Sequence, residues 1–175
     1  METFFDLAQK RRSTRTFLDK PVPQEIQEKL KQIVLMSPSG HRANPWEFIF
    51  VEDKQSLETI STCKQAGAAF VKDAALAVIV IADTTKTDVW VEDCSIASAY
   101  LHLAAEDLGL GSCWVQIRKR AQESGESASE VLKKAFNIPE NYEVLSVIAM
   151  GYKQEERKPF DLNRLQLDKI HTEKF

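Results

Sequence analysis

Three arginines and a serine fall within five residues in Arg11-Arg12-Ser13-Thr14-Arg15. Guanidinium forks match phosphate oxygens two bonds at a time, and a serine hydroxyl adds a further donor, so the segment suits a phosphomonoester. A basic run of this kind also serves as a solvated face or a nucleic-acid patch, and residue types alone leave the three readings open. A second polar group lies in Ser37-Pro38-Ser39-Gly40-His41-Arg42-Ala43-Asn44-Pro45-Trp46. Here turn formers carry hydroxyl, imidazole, guanidinium and amide groups directly ahead of a strand-like stretch. The composition fits a polar-edged ligand loop, and equally a plain connection before a core tryptophan.

Other chemistries lack their usual signals. Leu108-Gly109-Leu110-Gly111-Ser112 contains G-x-G, but Trp114 stands where a third glycine would fall and the motif follows a helical pattern, so the dinucleotide fingerprint is not met. No P-loop, G-x-S-x-G, H-E-x-x-H or C-x-x-C pattern occurs, and His41, His102 and His171 are too scattered in sequence to suggest a metal cluster. His102 sits in an apolar helical stretch, where a hydrogen-bonded interior histidine is the simpler expectation. Cys63, Cys94 and Cys113 are odd in number and widely spaced, which reads as reduced, buried thiols and a cytoplasmic chain.

The elements that must position these groups follow from periodicity. A short helix over residues 3–10 ends at the basic run, and Pro23 opens a second over 24–35, with Ile26, Leu30, Ile33 and Val34 at helical intervals. Trp46 to Val51 alternates as a strand, and a helix is expected around 56–63. Residues 74–82 read AALAVIVIA, a continuous β-branched run that predicts a central strand buried on both faces. Residues 92–108 form a helical pattern that is apolar around most of its circumference, so it belongs in a core or a subunit interface, and Gly109 supplies its stop. Strands over 111–117 and 143–151 flank a short helix near 129–136. The tail from Tyr152 to Phe175 is polar but dotted with Phe160, Leu162, Leu165, Leu167 and Ile170, a spacing that asks for a covering surface.

Bulk properties narrow the class. At 175 residues, 43% apolar and 28% charged, the chain is of ordinary soluble composition and near the size of one domain, read as 1–175. The charge, 23 − 26 = −3, gives no bulk drive toward nucleic acid or an anionic membrane, so any anion site must be local. The longest stretch without Asp, Glu, Lys or Arg, Cys94 to Ala105, is twelve residues, short of the roughly 18 a membrane-spanning helix needs. The first residues lack the basic region and apolar run of a secretory signal.

Three separated blocks nevertheless resemble one family. Arg11-Arg12-Ser13-Thr14-Arg15-Thr16-Phe17, Pro38-Ser39 through Asn44-Pro45-Trp46-Glu47-Phe48, and Leu108-Gly109-Leu110-Gly111-Ser112 are similar to the R-R-S-x-R-x-F, P-S-x-x-N-x-Q-P-W-x-F and L-G-L-G-S blocks of the nitroreductase family of flavoproteins. Their order and spacing fit, and the resemblance runs through Met150-Gly151-Tyr152 and Lys158-Pro159. It implies an α+β fold, a mostly antiparallel central sheet flanked by helices, in an intertwined homodimer whose tail, from about residue 152, wraps over the partner. It implies FMN at the subunit interface, reduced by NADH or NADPH at N5 and reoxidised in a ping-pong cycle by a small-molecule acceptor such as a nitroaromatic or quinone. The alternative within the same fold is an FMN-binding interaction protein with little turnover.

Carried over by position, Arg11, Arg12, Ser13 and Arg15, joined by Lys158, would hold the FMN phosphate and ribityl chain. Pro38, Ser39, Arg42 and Asn44 would approach the flavin ring, with Trp114, Val115 and Gln116 on its other face or edge. Two departures stand out: Arg42 and Asn44 occupy positions where the family commonly has asparagine and glutamine, and Gln116-Ile117 replaces the Glu-Gly of some members. Arg42 brings a cation where a neutral amide is usual, suited either to negative charge on the reduced ring or to a substrate carboxylate.

Overall fold

The computed structural model describes residues 3–175. Thr3 caps the first helix, α1 (Phe4–Lys10), in a reciprocal capping box with Asp6, and Pro23 caps the second, α2 (Gln24–Leu35). After a 3-10 turn at Gly40–Arg42, the chain enters β1 (Trp46–Val51) and α3 (Lys54–Ser61). A second 3-10 turn leads into β2 (Leu76–Asp83), followed by α4 (Trp90–Asp107), β3 (Gly111–Gln116), α5 (Ala128–Phe136) and β4 (Tyr142–Gly151). The four strands pair antiparallel in the order β1-β2-β4-β3, so the fold is α+β with β2 and β4 central and β1 and β3 at the edges.

The β-branched run of β2 is buried on both faces, as continuous apolar patterning requires. Ala77, Ile79 and Ile81 meet Leu57 and Ile60 of α3 and Leu132 of α5, whereas Leu76, Val78 and Val80 meet Leu30 and Val34 of α2 and Leu101 of α4. Two helical layers thus sandwich one sheet. A bulge breaks the β2–β4 register between Val80 and Ile81, leaving Leu145 as the extra residue of β4. The Leu145 carbonyl then accepts from both Ile117 and Arg118, closing the end of β3.

One expected boundary is displaced. The helix placed at 56–63 starts at Lys54, because the Asp53 carboxylate accepts the Ser56 N–H at 2.8 Å and so caps the helix where a plain turn was expected. All three cysteines are buried free thiols. The tail pairs with the N-terminal segment through Gln154 N–H to Thr16 and Phe160 N–H to Gln9, and then carries Leu162, Leu165, Leu167 and Ile170 exposed on short 3-10 turns. Among the described residues no helix is long and apolar enough to cross a membrane.

Candidate functional site

The basic run leaves α1 in extended conformation and docks on the open edge of β3. Ser13 bridges Ser112 in parallel, and the Thr14 N–H donates to the Ser112 carbonyl at 2.9 Å. Further on, Phe17 bridges Lys153, and the Arg12 guanidinium donates to the Lys158 carbonyl at 3.2 Å. The structure therefore gathers Arg11, Arg12, Ser13, Arg15 and Lys158 along one sheet edge. Burial pushes the Cys113 thiol up, against the opposing pull of Arg15, Ser13 and Arg11, which marks how closely they crowd β3. Arg15 lies 5.9 Å over the Phe70 ring, and among the described residues none of the three arginines is ion-paired with a carboxylate. Uncompensated guanidinium charge on this scale suits a di-anionic phosphate.

Helix α4 carries the supports. Asp93 accepts the Gly40 N–H at 2.8 Å, Ser98 meets Ser146 at 3.1 Å, His102 Nδ1 meets Ser112 Oγ at 2.7 Å, and Glu106 takes the Lys153 ammonium at 2.6 Å. Four polar side chains of this one helix thus bind four different segments. Burial, then the charge of Arg11, drives the His102 pKa down to about 4, so its ring is neutral near pH 7.

The loop before β1 is held in an unusual backbone. His41, Arg42 and Asn44 all adopt positive φ, at 51°, 58° and 43°, a conformation that costs non-glycine residues free energy and collects at functional positions. Ser39 and Asn44 stabilise it, the Ser39 hydroxyl donating to Asn44 Oδ1 at 2.7 Å and accepting the Asn44 N–H at 3.0 Å. Pro38, His41 and Arg42 are left exposed. A Cβ at Gly40 would meet Val89 Cγ2 at 3.1 Å, tighter than an ordinary contact, so the loop packs closely on the start of α4 here.

On β3, Trp114 and Gln116 face the α4 side half-buried, the indole N–H donating to Gln116 Oε1 at 2.9 Å. Val115 points the other way into the core, so any ligand contact from it runs through its backbone. Loop 38–44 leads into edge strand β1 with its Gly40 held by Asp93 of α4, whereas the arginine segment docks on the opposite edge strand β3, the two strands being about 14 Å apart across three strand spacings and the docking lying toward the other strand end, about 20 Å along. Within one chain the two groups thus belong to opposite edges of the sheet.

Fold and site together define an α+β protein with a basic cluster on a sheet edge. The chain belongs to the nitroreductase family, whose model matches residues 8–152. It is 39% identical to an FMN-dependent nitroreductase structure from Clostridium difficile, covering 98% of this chain and 100% of that one with a TM-score of 0.96. A protein of Archaeoglobus fulgidus named for NADH dehydrogenase/NAD(P)H nitroreductase is 33% identical over the full length of both chains. An iodotyrosine deiodinase of Thermotoga neapolitana is 25% identical over 94% of this chain and 96% of its own.

The sequence does not single out Asp93, Glu106 or Lys153 as supports, whereas His102 is the hydrogen-bonded interior histidine its apolar helical stretch predicts. A signal for the carboxylates was available. Asp93 and Glu106 flank the uncharged stretch of α4, and an acid at that depth needs a donor.

Proposed function

We propose that the chain is an FMN-dependent NAD(P)H oxidoreductase that works as a homodimer and passes electrons to a small acceptor of the nitroaromatic or quinone type. The observation that carries this reading is the cluster Arg11, Arg12 and Arg15, without a carboxylate partner among the described residues and set with Ser13 and Lys158 on the edge of β3 beside Trp114 and Gln116. Bound there, FMN would supply hydride acceptance at N5 and delivery to a second substrate, alternating in a ping-pong cycle. The arginines and Ser13 hold the phosphate, Trp114 and Gln116 border the ring, and no side chain of this chain is assigned a proton-transfer role.

A second copy supplies the missing half. Phe4 and Phe5 of α1 are 70% and 60% exposed, and Ile96 and Tyr100 lie on the open side of α4. Apolar exposure on this scale fits an interface. The exposed leucines of the tail fit a strap over the same partner, and the partner's loop 38–44 would then face the first chain's β3. The reducing cytosol would keep the three thiols free.

The test is an absorbance spectrum of the purified protein with added FMN, followed by anaerobic NADH and NADPH, with sedimentation equilibrium on the same sample. A dimer whose flavin spectrum bleaches with either nicotinamide is expected. Bound FMN that neither donor bleaches would favour a binding protein without turnover, and a monomer without flavin would overturn the reading. Arg42 has its own test, since it is exposed and among the described residues has no ion-pair partner. Arg42→Asn is expected to lower the flavin potential if the cation serves the reduced ring, or to raise KM only for carboxylated acceptors if it serves substrate. Neither change would remove Arg42 from the site.

A further inference from the structure

We infer that His102 is a positioning residue for the phosphate end of the flavin, acting through Ser112 on the arginine segment; the inference rests on the FMN reading above. Ser112 is where that segment is fastened to the sheet. Its carbonyl accepts the Thr14 N–H, its backbone pairs with Ser13, and its hydroxyl shares a hydrogen with His102 Nδ1 at 2.7 Å. A shift of Ser112 therefore moves the donors on either side of it.

The choice of residue type follows from the surroundings. Three guanidiniums already crowd this edge, so a further, buried cation would repel them, and burial with the Arg11 charge keeps the imidazole neutral. A neutral ring still offers the hydrogen-bonding nitrogen that a leucine would lack. The same ring lies nearly parallel to the Trp114 indole, at 16° with centroids 6.4 Å apart, so its face is fixed as well as its edge. One helical turn on, Glu106 grips Lys153, whose backbone bridges Phe17. The stretch from Ser13 to Phe17 is thus suspended between two fastenings, each held by an α4 side chain four residues from the other. His102 touches the fastening nearer the arginines.

The consequence is selective for phosphate. FMN and riboflavin share the ring and ribityl chain and differ in the phosphate, so a displaced arginine segment penalises FMN far more than riboflavin. Titrating each ligand by flavin fluorescence, His102→Leu is expected to weaken FMN about tenfold and to leave riboflavin within twofold of the wild type. His102→Asn, whose side-chain amide takes the place of Nδ1, is expected to restore most of the FMN affinity. Ser112→Ala should reproduce the FMN-selective loss, and the double variant should add nothing to either single one. Equal weakening of both flavins, no weakening, additive losses, or failure of a folded Asn variant to recover would each overturn the assignment. A wild-type chain that binds neither flavin would instead overturn the FMN reading itself.

Discussion

Glu106→Ala is expected to lower folding stability by about 3 kcal/mol, read as a fall in the urea midpoint at unchanged slope. The Glu106 and Lys153 side chains are 7% and 12% exposed and meet at 2.6 Å, so removing the carboxylate leaves a nearly buried ammonium without its main partner. Breaking buried pairs costs about 3–5 kcal/mol, and the lower end applies because Glu156, largely in solvent, reaches the same ammonium at 3.2 Å. The direction is specific to breaking one partner. Replacing both, Glu106→Leu with Lys153→Met, removes the desolvated charges together and should recover most of the loss. A single-variant loss below about 1 kcal/mol would mean that the pair is hydrated in solution and screened like a surface bridge.

The same pair has an alkaline signature. Burial by itself would lower the Lys153 pKa, but the hydrogen bond and charge of Glu106, with Glu156 behind them, carry it above its ordinary value of 10.5. A base whose folded pKa is raised contributes stability that is complete below the unfolded pKa and is lost as pH rises through the folded one. The wild-type chain should therefore lose this contribution above about pH 10.5, and Glu106→Ala should lack that part of the alkaline decline.

What could be read in advance was the periodic part. The alternation of Trp46–Val51, the β-branched run of β2 and the apolar circumference of α4 each fixed an element to within about two residues, because burial on a sheet or helix face imposes its own period. The motif-bearing segments were also legible, since Arg11, Arg12, Ser13, Arg15 and Lys158 carry recognisable donors. Their meeting was not, because it depends on Ser13 pairing with Ser112 and on Phe17 pairing with Lys153, contacts across a hundred residues that no local pattern encodes. The α4 supports escaped for a related reason. The position of Asp93 and Glu106 beside an apolar stretch signals that each needs a donor, but not that the donors are the Gly40 amide and the Lys153 ammonium.

Gly111 is where that long-range pairing can be broken by a single methyl group. A Cβ at this position would lie 2.6 Å from Thr14 Oγ1 and 2.7 Å from Thr14 Cβ and Cγ2. Thr14 is itself buried, and its β-branched side chain cannot swing clear as a lysine end would. Gly111→Ala must therefore push the Arg11–Arg15 segment off β3 or distort the strand, an overpacking cost of about 1–3 kcal/mol. On the FMN reading it should also weaken FMN retention at least as much as His102→Leu, because the Thr14 N–H contact to Ser112 is lost outright. The control is Thr14→Gly in the same chain, which removes all three clashing atoms. If stability and FMN retention both recover in the double variant, the close approach of Gly111 to Thr14 is what seats the arginines. If Gly111→Ala alone is silent in both measurements, the segment is free to dock elsewhere and the edge of β3 does not set its position.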